Sequence, residues 1–286
     1  MTTRKSNFGH QIDRRSLVTG VTTGIGAALL GGPAFGQLSG EQREGQVRPI
    51  PIAVLEFLSQ DPKLGLDISN VVAADLANSG LFQVVERNAY IERIQNINVA
   101  PNFANWRTIG VEALIVGQAT LLPDGRVQVE ARVWDVVTGK PLAGNRLATA
   151  VQSWRRLGHQ VADIAYEKLT GGGRYFDTRV VFVDETGPKD KRLKRLAMMD
   201  QDGANVQLLS QGRELVLTPR FSPTSQEITF MQYTGDQGRV MVMNVETKRS
   251  EVVGNFQGTT FAPRFSPDGQ RLVMSLGTGG DSGLVE

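Results

Sequence analysis

The chain has 286 residues, of which 40% are hydrophobic, so it is long enough for two domains with ordinary cores. It contains no cysteine, which excludes disulfides, thiolate zinc sites and a thiol nucleophile. The formal net charge of +2 comes from the amino terminus, where residues 1–36 hold four basic residues and one acidic residue. The rest is nearly neutral and does not match a phosphate-binding protein, so we expect no nucleic-acid partner.

Residues 1–36 have the pattern of an export signal. Two adjacent arginines precede the uncharged segment SLVTGVTTGIGAALLGG, and Ala34 and Gly36 fit the −3 and −1 positions of a cleavage site. We therefore expect cleavage between Gly36 and Gln37. The string DRRSLV is similar to a twin-arginine signal, with a general secretory signal as the alternative. Glycine and threonine dilute the apolar segment, so we do not expect a membrane span.

The segment TGVTTGIG at residues 19–26 has a competing interpretation. It matches the glycine-rich loop of short-chain dehydrogenases, where glycines let backbone N–H groups approach a dinucleotide. That loop requires an apolar strand before it, whereas QIDRRS stands there, and no tyrosine of the chain is followed by lysine four positions later. The sequence therefore favours the export signal, and we expect no cofactor.

Residues 37–48 are polar, and we expect them to be mobile after cleavage. An α/β domain is predicted for residues 49–172, because segments with strand and helix patterns alternate there. PIPIAVLEF and LFQVVE are predicted strands, and AYIERI is a predicted short helix. DISNVVAADLANSG between the two strands has helical spacing, with Asp67 as the expected N-cap and Gly80 as the expected C-cap.

The second half of this domain is predicted as a hairpin followed by a long helix. VEALIVGQATLL and VQVEARVWDV form the hairpin, and valine and alanine at 127, 129, 131 and 133 face one side of it. SWRRLGHQVADIAYEKLTGGG follows, with an apolar stripe that includes Leu157, Val161 and Leu169. Glycines 171–173 are expected to end the helix and to mark the domain boundary.

From Arg179 onward the pattern is that of strands alone. The pentapeptide PRFSP occurs at 219–223 and again at 263–267, and an alternating apolar run follows each copy. A repeat with a period in the forties is typical of propeller blades, which predicts a partial β-propeller at 173–286 with about two blades and the start of a third. A closed propeller has about four to eight blades, so we expect further blades beyond Glu286.

Several segments together resemble the TolB family, the periplasmic component of the Tol-Pal system. They are VVAADLANSGLFQVVER, VEALIVGQA and GHQVADIAYEKLTG, followed by the PRFSPDG-type repeats. The resemblance runs from about residue 47 to the end, in the order of the family's domains. It implies an α/β amino-terminal domain followed by an all-β, six-bladed propeller, no enzymatic activity and a scaffolding role in the periplasm.

The resemblance also implies partners. Members of this family bind the peptidoglycan-associated lipoprotein Pal through the propeller and contact the inner-membrane protein TolA, and they support outer-membrane integrity and cell division. We expect the chain to be a monomer within such a multiprotein system. In relatives the mature amino terminus is a short charged and apolar strand. Here only QVRPI has that character, so the TolA contact is the weaker expectation.

Two loops are the candidate binding surface. Each joins the outermost strand of one predicted blade to the innermost strand of the next, at residues 210–218 and 255–261, and such loops converge around a propeller's central channel. Charged side chains stand beside apolar ones in the first loop, a mixture found at protein interfaces. The alternative is that the loops only close the ring. The candidate partner-binding residues are Ser210, Gln211, Arg213, Glu214, Thr218, Gln257, Thr259 and Thr260.

Residues with catalytic or metal-binding potential fit structural roles better. His159 is the only histidine after cleavage, and we expect a packed or surface side chain rather than a catalytic base. GDSG at 280–283 is expected to be a blade turn. DQDGAN at 200–205 is similar to the start of a calcium loop, but Gln211 replaces the glutamate at loop position 12, which favours a turn.

Two other functions remain as alternatives. A prolyl-oligopeptidase-type peptidase has a similar propeller, but it needs a hydrolase domain with a GxSxG elbow, and this string does not occur in the 286 residues. A propeller that binds a glycan or small ligand would need aromatic residues in its channel loops, for which the sequence offers Phe256 and Phe261.

Overall fold

A computed structural model describes residues 48–254 and 256–286 of the chain. The predicted signal peptide, its Gly36–Gln37 cleavage site and nearly all of the segment 37–48 lie outside the described residues. Within the described part, no helix is both long and apolar enough to cross a membrane.

The amino-terminal part is an α/β domain with one mixed sheet. Its elements are β1 (Ile50–Val54), β2 (Leu58–Ser59), α1 (Pro62–Asn78), β3 (Phe82–Val84), α2 (Phe103–Thr108), β4 (Ala113–Leu121), β5 (Arg126–Asp135), β6 (Lys140–Ala150) and α3 (Trp154–Thr170). Short 3₁₀ turns lie at Arg87–Ala89 and Val151–Ser153.

The strands of this sheet follow the order β3-β1-β4-β5-β6, and β2 pairs with β4. The first three are parallel, whereas β4, β5 and β6 are antiparallel neighbours. Apolar side chains of α1 and α3 pack on one face, with Ile68 and Leu157 fully buried. The other face is covered by α2 and its neighbouring loops, where Trp106 is buried against Leu114 and Val116. The sheet is thus buried on both faces at β1 and β4, whereas only alternate residues of β5 are buried.

Helix α1 begins earlier than the sequence predicts. Its N-cap is Asp61, whose side chain accepts hydrogen bonds from the backbone N–H groups of Lys63 and Leu64, and Pro62 occupies the first turn. The predicted N-cap Asp67 is wrong, because this residue lies inside the helix and pairs with Lys63 one turn before it. Gly80 follows the C-cap Ser79 with φ +73°, so the predicted glycine stop is confirmed.

Three elements between β3 and α3 differ from the sequence expectation. AYIERI is not a helix: the 3₁₀ turn at Arg87–Ala89 ends at its first residue, and Tyr90 is already extended. Helix α2 was not predicted, and its six residues are too few to show a helical period. Strand β6 was not predicted either, because none of its positions is buried although it pairs with β5 over its whole length.

Helix α3 crosses α1 at close range, which Gly158 makes possible. A methyl group at position 158 would lie 2.8 Å from the Cβ atom of Val71, a distance that real side chains do not adopt. The helix ends as predicted at Gly171, which has φ +74° and donates its backbone N–H to the carbonyl oxygen of Glu167. The close approach of the helices also lets His159 of α3 reach Asp75 of α1.

The connection from α3 to the next strand is held firmly against the α/β domain. The buried carboxylate of Asp163 accepts hydrogen bonds from the backbone N–H groups of Tyr175, Phe176 and Asp177 at 2.7–3.0 Å. The ring of Phe176 is buried in the same core as the helices. Asp177 also forms an ion pair with Arg156 on α3. The connection is thus an ordered part of the junction between the domains.

The carboxy-terminal part consists of three antiparallel sheets. The first contains β7 (Arg179–Thr186), β8 (Leu193–Asp200) and β9 (Gln207–Leu208). The second contains β10 (Leu215–Phe221), β11 (Glu227–Thr234), β12 (Gln237–Asn244) and β13 (Ser250–Val252). The third contains β14 (Thr259–Phe265), β15 (Leu272–Thr278) and β16 (Asp281–Val285). The predicted change to an all-β pattern is confirmed, and the sheets do not close into a ring.

The two PRFSP copies occupy equivalent places in the second and third sheets. The first three residues of each copy end the first strand of its sheet, and a register shift in the pairing with the next strand falls at the proline of each copy. Thr218 and Ala262, which precede the two copies, both have positive φ angles, of 49° and 53°. Residues other than glycine rarely adopt this conformation, so its repetition shows that the sequence repeat encodes a repeated backbone bend.

Neighbouring sheets pack face to face. Leu196 and Met198 of the first sheet share one core with Ile228, Phe230 and other side chains of the second sheet. Strand β14 of the third sheet packs against β11 and β12. There the buried hydroxyl of Thr260 accepts a hydrogen bond from the backbone N–H of Val240 at 2.9 Å. Apolar burial therefore joins the first pair of sheets, and polar contacts contribute to the second pair.

Candidate functional site

The loop between β9 and β10 borders a small open cavity of about 230 Å³. Its floor is apolar, with Leu196, Val216, Phe230 and Met243 from the two sheets that meet there. Its rim is formed by Ser210 to Glu214 and by Gln232. This volume is below the range of about 300–1,000 Å³ found for small-molecule pockets, and it fits one side chain of a partner better than a ligand.

The predicted residues of this loop have different roles. Gln211, Arg213 and Glu214 are exposed at the rim of the cavity, and Thr218 is exposed further along β10. Ser210 is half-buried, and its hydroxyl accepts a hydrogen bond from the backbone N–H of Leu196 at 2.8 Å. The side chains of Gln211, Arg213 and Glu214 are therefore available to a partner, whereas the hydroxyl of Ser210 holds the loop against β8.

The second predicted loop, between β13 and β14, is held by Arg239. The guanidinium of this residue donates to the carbonyl oxygen of Phe256 at 2.7 Å. Gln257 is exposed and Thr259 is half-buried. Thr260 is buried between the second and third sheets, so its side chain is not available to a partner. The aromatic residues Phe256 and Phe261 are both half-buried.

The two loops lie at corresponding ends of their sheets. Each leads into the first strand of a sheet, and the antiparallel order then places the turns after the first and third strands at the opposite end. In the second sheet the turn at 245–249 marks that opposite end, and Glu246 and Arg249 are exposed there. The structure thus offers charged residues at both ends of one sheet, which permits a matched comparison.

A second cluster of polar groups lies where the α/β domain meets the first sheet. His159 on α3 is buried, and its Nδ1 atom lies 2.6 Å from Oδ2 of Asp75 on α1. Its Nε2 atom lies 3.7 Å from Oδ2 of Asp200, which is the last residue of β8. Gln201 donates from its side chain to the other oxygen of Asp75 at 3.0 Å. One imidazole ring therefore stands between carboxylates of two domains.

Arg155 completes this cluster. We call it the junction cluster, and its members are Asp75, Arg155, His159, Asp200, Gln201 and Asp202. Its Nε atom donates to Asp200 at 3.1 Å, and its Nη2 atom donates to Asp202 in the turn that follows β8. The guanidinium contacts one oxygen of each carboxylate, so a single positive charge is shared between two acidic groups. The segment DQDGAN forms the tight turn that the sequence predicts, with Gly203 at φ +84°.

Burial and neighbouring charge act in opposite directions on the histidine of this cluster. Burial lowers the pKa of His159, but the hydrogen bond to Asp75 and the negative charges of Asp75 and Asp200 outweigh it, so this pKa lies above its ordinary value. Burial raises the pKa of Asp75, and the hydrogen bond with His159 opposes this shift without cancelling it. Both shifts favour a proton held within the pair.

The sequence indicated parts of this cluster but not the cluster itself. Asp75 stands among apolar residues on the buried face of α1, and His159 stands beside the apolar stripe of α3, so each is a polar residue in a packed position. The structure confirms the packed histidine. Its partners are separated from it by 84 and 41 positions, and no local pattern connects them. The prediction that GDSG forms a blade turn is wrong for most of the segment: Gly280 lies in the turn, but Asp281, Ser282 and Gly283 are the first residues of β16.

The fold defines a class of protein in which an α/β domain precedes a series of stacked propeller-type sheets. Comparisons with known families agree with this architecture. A model described as the TolB amino-terminal domain matches residues 42–142, and one described as the TolB beta propeller domain matches residues 166–285. The two matches together cover more than half of the chain, and the chain belongs to the TolB family.

A solved structure shows a similar fold. The crystal structure of TolB from Acinetobacter baumannii aligns with a TM-score of 0.69 at 24% sequence identity, over 83% of this chain and 57% of that chain. The present chain therefore spans about 57% of the length of that protein.

Two other solved structures align over shorter segments. The acylaminoacyl peptidase of Pyrococcus horikoshii gives a TM-score of 0.26 at 17% identity, over 34% of this chain and 15% of that one. The carboxy-terminal domain of LpoB from Escherichia coli gives 0.25 at 12% identity, over 36% of this chain and 82% of that one. Scores of this size do not establish a shared fold.

Proposed function

We propose that the chain is a non-enzymatic periplasmic scaffold of the Tol-Pal envelope system. The observation that carries this proposal is the presence of both TolB domains in one chain and in the family's order. In this role the protein binds the peptidoglycan-associated lipoprotein Pal and supports outer-membrane integrity and cell division. The peptidase alternative lacks comparable support, because the amino-terminal TolB domain is not part of its expected architecture.

The Pal-binding surface that we propose is the loop end of the stacked sheets. Gln211, Arg213 and Glu214 are exposed there around a cavity with an apolar floor, and Gln257 is exposed in the corresponding loop of the next sheet. A partner side chain that fills the cavity buries apolar area, while the charged rim gives the contact its specificity. Thr218 and Thr259 lie beside these loops and belong to the proposed surface.

Calorimetric titration of the whole chain with soluble Pal tests this proposal. We expect Arg213→Glu and Glu214→Arg to weaken binding at least about tenfold, which corresponds to about 1.4 kcal/mol. Arg249→Glu and Glu246→Arg are the matched controls, because they reverse the same charges at the opposite end of the second sheet. Equal effects of the two pairs would reject the surface, and no heat of binding at micromolar concentration would reject the partner.

The proposed contact with TolA involves the segment that follows the predicted cleavage site. We expect deletion of residues 38–47 to abolish capture of TolA and to leave Pal binding unchanged, since the loops of the sheets lie in a different part of the sequence. Sequencing of the mature amino terminus from a periplasmic extract tests export as well. It should begin at Gln37, and an intact residue 1 in that extract would contradict the signal peptide.

A further inference from the structure

The junction cluster contains a ring whose two nitrogen atoms both face acid groups. The Nδ1 atom of His159 is 2.6 Å from the carboxylate of Asp75, which is a short charge-assisted contact. The Nε2 atom is buried and has no hydrogen-bond partner within residues 48–254 and 256–286. The nearest acid group to Nε2 is that of Asp200, at 3.7 Å. The ring is therefore flanked on both sides by negative charge.

The protonation state that fits this geometry follows from the chemistry of imidazole. A neutral ring carries one N–H, and beside an ionised Asp75 this N–H belongs at Nδ1, where it donates to the carboxylate. The Nε2 lone pair would then be buried and would point toward the negatively charged oxygen of Asp200. An imidazolium has an N–H on both nitrogens and is attracted by both carboxylates. The arrangement thus fits the protonated ring.

The charges on all the packed elements agree with this assignment. Helix α1 contributes Asp75, and the end of β8 and its turn contribute Asp200 and Asp202, while Arg155 on α3 supplies one positive charge to the last two. With a neutral His159 the buried cluster has three acids against one base. Protonation adds a second positive charge and brings the cluster closer to neutrality, which lowers the cost of burying it.

Two further acidic groups near the junction, Asp163 and Asp177, are bound by other partners. Asp163 on α3 faces the connecting segment, where it accepts three backbone N–H groups. Arg156 on α3 forms a bidentate ion pair with Asp177 on the same segment. Neither of these two acidic groups is bound to the imidazole. The proton on His159 therefore affects mainly the link between α1 and the end of β8.

We propose that His159 is a proton-dependent clasp that fastens the first sheet of the propeller part to the α/β domain. In its protonated form it bridges Asp75 of one domain and Asp200 of the other. Loss of the proton removes the attraction to Asp200 and weakens the junction. This proposal concerns the two domains alone, and it stands or falls independently of the partners proposed above.

The direction of the pH response follows from the raised pKa of His159. A group whose pKa is higher in the folded than in the unfolded chain stabilises the folded state fully below the unfolded value of about 6.5. That stabilisation is lost as the pH rises through the higher folded-state pKa. The clasp is thus closed in mildly acidic solution and opens on the alkaline side of 6.5.

Nuclear magnetic resonance of the imidazole tests the first half of this proposal. The whole chain has two histidines, so His10→Gln leaves His159 as the single titrating ring. We expect its titration midpoint to lie above the ordinary value and both ring nitrogens to carry protons below that midpoint. Asp200→Asn should move the midpoint to lower pH. A ring that is already neutral at about pH 6 in the otherwise native chain would overturn the assignment.

Distance measurement between the domains tests the second half. The chain has no cysteine, so Lys140→Cys on β6 and Glu251→Cys on β13 give two unique exposed sites for spin labels. We expect the distance distribution to widen as pH rises through the midpoint of His159. His159→Gln should give a wide distribution at every pH, and Asp200→Asn gives the same comparison if the first variant does not fold. The clasp would be overturned if the distance distribution of the chain with native His159 stayed the same while the imidazole lost its proton.

Arg156→Gln is the matched control for this measurement. It removes the ion pair with Asp177 at the same junction and leaves the imidazole and its two acid neighbours in place. We expect this variant to keep the native pH response, although the junction as a whole is weaker. If it abolished the response as fully as His159→Gln does, the junction would respond to any loss of contact, and a specific role of the proton would be excluded.

Discussion

The α/β domain and the stacked sheets bury their apolar residues in different ways. In the α/β domain, one sheet is covered on both faces by helices and loops that are distant in sequence, and the core depends on unique contacts such as Gly158 against Val71. In the carboxy-terminal part, each sheet pairs its strands locally and buries its faces against the next sheet. The first region is organised around one central sheet with a core on each face, whereas the second is a series of sheets that meet face to face.

This difference predicts different responses to damage. A sheet that contacts only its neighbours loses stability locally, as in repeat proteins, where stability is roughly a sum over units and their interfaces. A domain whose cores share one central sheet unfolds as a whole when that sheet loses its packing. The junction cluster around His159 is where the two kinds of organisation meet.

The largest effect on stability is expected from removing a large buried side chain at the interface between two sheets. Phe230 is buried between the first and second sheets, and Phe230→Ala should cost about 3–5 kcal/mol there, because a cavity replaces the ring. Ile115→Ala in the α/β core should cost about 2–5 kcal/mol. Residue-resolved hydrogen exchange during urea unfolding measures both changes. We expect Phe230→Ala to lower protection in the sheets and Ile115→Ala to lower it throughout the α/β domain.

The comparison between these two variants is itself the control. If Phe230→Ala lowered protection in the α/β domain as much as in the sheets, the two regions would unfold as one cooperative unit. The stacked sheets would then not unfold independently of the α/β domain.

A smaller effect is expected at the contact between the two long helices. The added methyl group in Gly158→Ala meets Val71 at 2.8 Å, and overpacking of this kind costs about 1–3 kcal/mol, of which alanine's better helix propensity offsets about 1 kcal/mol. Urea unfolding of Gly158→Ala, Val71→Ala and the double variant measures the coupling. Shortening Val71 makes room for the methyl group, so the double variant should be more stable than the sum of the single changes predicts. Strict additivity would contradict a direct contact.

The smallest effect is expected at the repeated bend before PRFSP. Ala262 has φ +53°, which glycine adopts without strain. We therefore expect Ala262→Gly to leave the free energy of unfolding unchanged or to raise it by up to about 1 kcal/mol. Ala148→Gly is the control, since Ala148 is exposed on β6 in a regular strand and its replacement should cost about 0.5–1 kcal/mol. Thermal unfolding distinguishes the two. An equal loss at both positions would show that the bend carries no strain.

The sequence predicted most of the fold where its signals are local. The 44-residue spacing of PRFSP predicted equivalent positions in successive sheets, and the register shift that both copies share confirms it. The alternation at 127–133 predicted a buried face of β5, and those positions are buried. Helix α1 was misplaced at its start because its first turn, PKLGL, includes proline and glycine, which lower helix propensity although Pro62 suits that position.

The candidate sites divide in the same way. Topology alone predicts which loops connect successive sheets, and the exposed residues Gln211, Arg213 and Glu214 lie there. Burial of Thr260 depends on how the third sheet packs on the second, which a single sequence does not show. The bridge from Asp75 through His159 to Asp200 depends on the packing of α1 on α3 and of both on β8, so its three residues could be identified only in the folded chain.

The anchoring of the connecting segment by Asp163 affects how the chain can be divided. The ring of Phe176 completes the interior of the α/β domain, and the backbone N–H groups of 175–177 satisfy a buried carboxylate of that domain. Separation near residue 172 would leave an aromatic ring exposed on one product and an unsatisfied acid on the other. Separation after Asp177 would keep these contacts together on the amino-terminal product, although it would still divide the bridge from Asp75 through His159 to Asp200.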